Sequence, residues 1–383
     1  MGYYTVVLTP RRKLLEQRRE LPDVHELIYC DLSAMDGICA ELDRLRRHGL
    51  NIRAVVSFVD PYAALAARIS EAYGGTSLSW EAMARMENKQ LTRETLTGTP
   101  YGPEFAVIER GDDGEAVWQE WKGGLPALLK SPVSTGSKDV CMVTDAAEFV
   151  RARNALRKGG DGALLLEAYI TGPQVLVEAV ALDGEVRPVA VLEQQIEAGE
   201  RFIITGYRLA PFPSEERFPG LAEAARNIIA AFGMRTGTCH LEIRRGSAGW
   251  KLVEGNPRMS GGAMNAILAA GLGIDWAKQS LRLALGERPD IEPKLRRHVY
   301  AQHVVLRERG RLLKVTGRSR ASRMPYVEEV YVKPRKGAWV QPPMSMGDRY
   351  AYVIAAAPTA FEAEQAAKAA AAEIRFHIQP YDS

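Results

Sequence analysis

The chain has 383 residues, 46% hydrophobic and 25% charged, with 50 Lys and Arg against 47 Asp and Glu for a formal net charge of +3. That balance argues against a nucleic-acid partner, and the length suits two or three domains. Cys30, Cys39, Cys141 and Cys239 form no CxxC pair, so neither a zinc site nor a disulfide framework is indicated.

The amino-terminal "MGYYTVVLTPRRKLL" lacks the pattern of a signal peptide. No apolar run approaches the roughly 18 residues of a membrane helix, so a cytoplasmic location without membrane partners is expected. Over residues 1–99, apolar runs such as "YYTVVLT" and "IRAVVSFVD" alternate with helical stretches, which predicts parallel strands with crossover helices in an open α/β domain. Asp60 and Pro61 are expected to start the helix "PYAALAARISEAYG", and residues 77–98 read as a helix broken in two. No GxGxxG follows the first strand, which removes the dinucleotide fingerprint.

A second unit, 100–171, brings "FAVIE", "LPALLKS", "DVCMVT" and "ALLLEAYI" as closely spaced strands around the helix "DAAEFVRARNALRKG", an α+β pattern. In 172–290, "QVLVEAVAL", "EVRPVAVLE", "GTCHLEI" and "WKLVEG" fit one antiparallel sheet. Beyond "DIEPKLRR", residues 291–383 read as a separate small α+β module, with a hairpin in "VYAQHVVLRERGRLLKVTG" and an alanine-rich helix.

The chemistry gathers in "GTCHLEI" and "VEGNPRMSGG". If these strands form a hairpin, Glu242 and Glu254 lie side by side at one end with Asn256 adding a neutral oxygen. Such a hard oxygen cluster suits Mg²⁺ holding phosphate, although solvated strand-end acids would look the same. Arg258 could fork onto a carboxylate or phosphoryl group, and Gly261 and Gly262 let a ligand approach the backbone at a helix start. His240 shares a strand face with Glu242; it could touch substrate, stand behind the metal or be an ordinary core histidine.

Lys130 ends the strand "LPALLK" ahead of a loop whose Ser134, Thr135, Gly136 and Ser137 could wrap phosphate. Because the lysine precedes the glycine, this is not a GxxxxGK[ST] loop. The backbone around Ala168, Tyr169 and Ile170 could meet an adenine edge, and Glu167 its amino group or a water. Lys89 is a second candidate cation.

In this order the pieces resemble the ATP-grasp superfamily over roughly residues 50–286, and the "HLEI…EGNPRMSGG" signature with its tail is most similar to bacterial L-amino acid ligases. The resemblance implies an amino-terminal α/β domain (1–99), a lid (100–171), a catalytic antiparallel-sheet domain (172–290) and a small carboxy-terminal α+β module (291–383). It implies that ATP is held by Lys89, Lys130 and the linker Glu167 to Ile170, with Gln174 at the ribose hydroxyls in place of a more usual Glu. Mg²⁺, or Mn²⁺ as the alternative, would sit on Glu242, Glu254 and Asn256, with Arg258 on the reacting carboxylate.

The implied activity is joining of a small carboxylic acid to an amine through an acyl phosphate, with residues 131–139 as gate. Another ATP-grasp activity (carboxylation or phosphotransfer) and a catalytically silent nucleotide-binding protein are the alternatives. The substrates, the base for the amine and the oligomeric state, a homodimer included, stay open.

Overall fold

The computed structural model describes residues 1–132, 140–158, 162–197, 203–210, 215–343 and 348–380. The first unit opens with β1 (Val6–Thr9) and β2 (Glu26–Tyr29), which pair in parallel as the alternation predicts. The helix Met35–Arg47 buries Ile38, Leu42 and Leu45, one apolar stripe at helical spacing. The expected strand in "IRAVVSFVD" is not formed: the Val55 N–H donates to the Ser70 hydroxyl at 3.0 Å instead of to a neighbouring strand. The helix after Pro61 runs Ala63–Ala72, and its first N–H groups, of Ala63 and Ala64, are capped by Glu87 rather than Asp60. The break expected in 77–98 is at Asn88, whose side chain caps the helix Lys89–Thr95 directly after Trp80–Glu87.

The second unit contains β3 (Phe105–Ile108), β4 (Ala127–Lys130), β5 (Val140–Val143) and β6 (Leu164–Ala168) in the antiparallel order β3-β6-β4-β5. The helix Ala146–Lys158 and a second, unexpected one, Gly114–Glu120, cover its core of Ile108, Leu129, Phe149 and Leu166.

Next come β7 (Gln174–Leu182), β8 (Glu185–Glu197), β9 (Ile203–Ala210), β10 (Gly237–Gly246) and β11 (Gly249–Asn256). The tail supplies β12 (His298–Val304), β13 (Gly310–Thr316), β14 (Val327–Val332), β15 (Trp339–Val340), β16 (Ala351–Ala357) and β17 (Arg375–Pro380). The tail is not detached from the central sheet. One eight-stranded sheet runs β11-β10-β7-β8-β9-β12-β16-β14, so the tail continues the central sheet through β9–β12 pairing. β12 and β13 are not a hairpin either, since β13 pairs with β15 and β17. β12 is buried over Val299, Tyr300 and Ala301 and needs cover on both faces, whereas β13 alternates buried and exposed residues.

The large sheet carries a core on each face. Val177, Leu241 and Ile243 pack with Ile228 of the helix Leu221–Ala231, while Leu176, Leu192 and Leu209 pack with Ile267 of the helix Met264–Leu272. This period-two division sends the even-numbered residues of β10 and β7 to the second face, where the site lies. Among the described residues no helix is long and apolar enough to cross a membrane.

Candidate active site

β10 and β11 form the expected hairpin, and its register pairs Glu242 with Glu254 and His240 with Asn256. All four therefore face one side of the sheet. The two glutamate side chains keep 24% and 32% exposure, enough to meet a ligand. Among the described residues no three of His, Cys, Asp and Glu are arranged to hold a metal. Two carboxylates and an amide oxygen nonetheless fit Mg²⁺, which binds through one or two protein carboxylates and completes its shell with water and substrate phosphate. Lys89 Nζ stands 3.5 Å from Glu254 Oε1 on the same side.

Beneath this pair lies a fully buried carboxylate, Glu178, that accepts from His240 Nδ1 at 2.8 Å, from Trp276 Nε1 at 2.7 Å and from the Ser260 hydroxyl. Burial alone would push His240 down. The charge of Glu178 and its hydrogen bond, with Glu242 beyond them, outweigh burial and hold the imidazole at about 10. It is therefore an imidazolium at neutral pH, tied on one side to Glu178 and standing 3.9 Å from Glu242 Oε1 on the other. This makes it a positioning residue behind Glu242.

On the phosphate side, Lys130 Nζ lies 2.7 Å from Glu167 Oε2, and both side chains are buried. Arg93, one helical turn past Lys89, grips the same carboxylate at 2.8 and 3.1 Å and donates to the Val253 carbonyl at 2.7 Å. Burial first, then the charge of Arg93, push Lys130 down to about 8, with Glu167 opposing both. Glu167, expected at the adenine, is paired with Arg93 and Lys130, as a buried carboxylate must be.

The linker is engaged as well. The N–H groups of Ala168 and Tyr169 donate to the carbonyls of Glu104 and Pro126, so the adenine-edge expectation passes to Ile170. Arg244 donates to the Ile170 carbonyl at 2.9 Å and to Gln174 Oε1 at 2.8 Å, with its guanidinium 5.2 Å from the Tyr169 ring centre. Gln174 spends both amide donors, on Gln194 Oε1 at 2.9 Å and Glu242 Oε2 at 2.8 Å. The amide expected at the ribose thus also orients a candidate metal ligand.

Arg258 is also engaged. Its Nε donates to both oxygens of Asp60 at 2.9 Å, its Nη2 donates to the same carboxylate, and Nη1 donates to the Met259 carbonyl at 3.0 Å. The guanidinium expected to meet a substrate acid is thus held in place by a protein carboxylate. A Cβ at Gly261 or Gly262 would meet nothing within 4 Å, so the space before the helix Met264–Leu272 is open, and Gly262 has φ +70°, a conformation that favours glycine. Ser134, Thr135, Gly136 and Ser137, with most of the expected gate 131–139, lie outside the described residues.

Sequence reasoning missed Arg93, Glu178, Arg244 and Asp60. Glu178 carried a signal, as one acid inside the apolar run "QVLVEAVAL" needs a buried partner. Arg93, at i+4 from Lys89, could have been placed beside it; Arg244 and Asp60 depend on tertiary proximity.

Comparison with known proteins accords with this geometry. Residues 124–266 match the model of the ATP-grasp domain and residues 302–379 that of the L-amino acid ligase C-terminal domain 2. The chain is 24% identical to the uncharacterized protein y4rH of Sinorhizobium fredii, over 93% of this chain and 74% of that one. It is 26% identical to carnosine synthase 1 of Gallus gallus over 71% of its own length, but spans only 32% of that protein. The solved L-amino acid ligase from Bacillus licheniformis superposes with a TM-score of 0.79 at 19% identity, covering 94% of this chain and 89% of that one. The chain has the ATP-grasp fold and carries an ATP-grasp domain followed by an L-amino acid ligase C-terminal domain.

Proposed function

We propose that the protein is an ATP-dependent carboxylate–amine ligase that forms an amide bond through an acyl phosphate and releases ADP and phosphate. The observation that carries this reading is the pairing of Glu242 with Glu254 on an open sheet face beside Lys89. The matched L-amino acid ligase domain supports small acids and amines as substrates.

A carboxylate resists amines because oxide is a poor leaving group. An oxygen of the acid attacks the γ-phosphorus of ATP, and the bond to the β–γ bridging oxygen breaks, leaving ADP and an acyl phosphate. Lys89 and Lys130 steady the phosphate oxygens during this transfer. Mg²⁺ held by Glu242, Glu254 and Asn256 would neutralise charge on those oxygens. Gln174 and His240 keep Glu242 aimed at the site. The amine nitrogen then attacks the acyl carbon, the carbon–oxygen bond to phosphate breaks, and the N–H groups beside Gly261 and Gly262 face the oxyanion. His240 is no base for the amine, being buried and already protonated; the proton passes to the departing phosphate.

The test is ADP release by the purified protein with MgATP and L-amino acids or other small acids, supplied singly and in pairs. Dependence on two substrates with amide formation is the expected result. Dependence on one substrate would indicate phosphotransfer, dependence on bicarbonate a carboxylase, and nucleotide binding without turnover a regulatory role.

A further inference from the structure

Lys130 shares its carboxylate. In the sheet of the second unit Leu129 pairs with Leu166 and both enter that unit's core, so the strand alternation turns Lys130 and Glu167 to the opposite face, as diagonal neighbours on β4 and β6. Their contact is 2.7 Å. Arg93 reaches that face from the helix Lys89–Thr95 and takes both Glu167 oxygens in a fork, Nε at 2.8 Å and Nη2 at 3.1 Å. Nη2 also donates to the Val253 carbonyl, next to Glu254, so one guanidinium is fixed by the second unit and by the large sheet together. All three charged side chains are buried.

Among the described residues two cations here face one carboxylate, so the buried charges do not balance. Lys89, one helical turn before Arg93, adds positive charge that also acts on Lys130. Among the described residues Nη1 of Arg93 is buried without a hydrogen-bond partner, although Nε and Nη2 are both engaged. A buried ion pair maintained for folding alone is complete with one cation, as Lys130 and Glu167 already are. The second cation needs a chemical reason. Burial first and then Arg93 lower Lys130 to about 8 while Glu167 opposes them, so an anion brought to Lys130 draws a proton onto it.

We propose that Arg93 is a positioning residue for the nucleotide: by serving as the counter-ion of Glu167, it leaves the charge of Lys130 to the phosphates of ATP. This rests on the ligase reading, in which Lys130 meets phosphate, and adds a residue to it. When the ammonium turns from Glu167 to a phosphate oxygen, the carboxylate keeps two charge-assisted bonds from Arg93 and is not stranded in the interior. Without Arg93, Lys130 and Glu167 form a neutral closed pair. ATP would then have to compete with Glu167 for the ammonium.

The experiment titrates MgADP, and a non-hydrolysable ATP analogue with magnesium, into the full chain by calorimetry, in two buffers of different ionisation heat between pH 6.5 and 9. Wild type should take up about half a proton at pH 8, because Lys130 is about half charged there when free and fully charged on phosphate. Arg93→Gln should bind about 10-fold more weakly at pH 7 and take up almost no proton at pH 8, because Lys130 held one-to-one by Glu167 is already charged. The Arg93→Gln, Glu167→Gln double variant, with nothing acidic holding Lys130, should return to within about threefold of wild-type affinity. That recovery also decides the matter if Arg93→Gln alone does not fold.

Wild-type affinity and proton uptake in Arg93→Gln overturn the proposal. So does a loss of affinity that leaves the uptake at pH 8 unchanged, or one that the double variant retains in full, since either makes Arg93 a structural support. If wild type binds no nucleotide, the ligase reading fails and this proposal with it. Nucleotide binding with the expected proton uptake, but no ADP release with any pair of substrates, would end the ligase reading and leave the assignment of Arg93 standing.

Discussion

Glu242 and Glu254 are direct Cα partners across the β10–β11 ladder, with a bulge immediately after Glu242. Like charges placed opposite one another in a sheet are destabilising, so a cation between them is the natural compensation. Glu254→Gln relieves the repulsion and removes the charge. Its unfolding midpoint without metal should equal or slightly exceed that of wild type, because the side chain is 32% exposed. Its kcat should fall at least ~100-fold, and the gain in thermal midpoint that MgATP gives the wild type should disappear. A variant that keeps the full MgATP shift would remove Glu254 from the metal site.

Asp60 holds Arg258 from another unit of the chain, donor and acceptor both largely buried. Replacing Asp60 with Asn keeps the shape while removing the charge that aims the guanidinium. We expect kcat/KM for the acid substrate to drop about 10-fold with KM for ATP unchanged, as the arginine loses its orientation toward the acid. Steady-state kinetics with both substrates varied would decide it. Equal losses for acid and ATP would mean the pair only secures the domains to one another.

The chance that Lys130 meets phosphate can be read from pH. In the free protein burial and Arg93 bring it down to about 8, so its positive charge fades as pH rises through that value. Nucleotide affinity measured by calorimetry should weaken above pH 8. Lys130→Ala should bind ATP about 10-fold more weakly at pH 7 and show a flatter profile between pH 7 and 9. Identical profiles for the two proteins would assign the pH response elsewhere.

Much of this site was legible because short motifs report local structure. The hairpin carrying Glu242, Glu254 and Asn256 follows from two apolar strands around "RRGSAG". What stayed hidden is tertiary. Asp60 reads as a helix cap until Arg258, 198 positions away, is seen to claim it. Glu167 at a strand end looks available for a ligand until Arg93 arrives from a helix 74 positions earlier. That the carboxy-terminal module shares the central sheet stayed hidden for a related reason: a polar linker suggests independence, but only the edge of β9 shows that β12 must pair there. β9 itself went unread inside a long polar stretch.

The His240–Glu178 pair gives the folded state a pH signature with a defined sign. His240 is raised from its ordinary 6.5 to about 10, with Glu178 overcoming the opposing effect of burial. A group raised in the folded state contributes its stability in full below the unfolded value and loses it as pH climbs toward the folded one. Stability should therefore decline above pH 6.5, at about 1.4 kcal/mol per pH unit for one proton. Lys130 has the opposite sign, since its folded value of about 8 lies below the unfolded 10.5, and it offsets the decline above pH 8. The window from 6.5 to 8 is dominated by His240, because His303, lowered to about 3, is neutral there in the folded state and contributes only a smaller change of opposite sign as its unfolded form loses its remaining proton. Urea unfolding across that window should show a fall of about 1 kcal/mol in wild type and a slight rise in the His240→Gln, Glu178→Gln double variant, which removes both charges together and leaves neither buried alone. A wild-type stability that is constant or rising from pH 6.5 to 8 would show that the imidazole is not held protonated beneath Glu242.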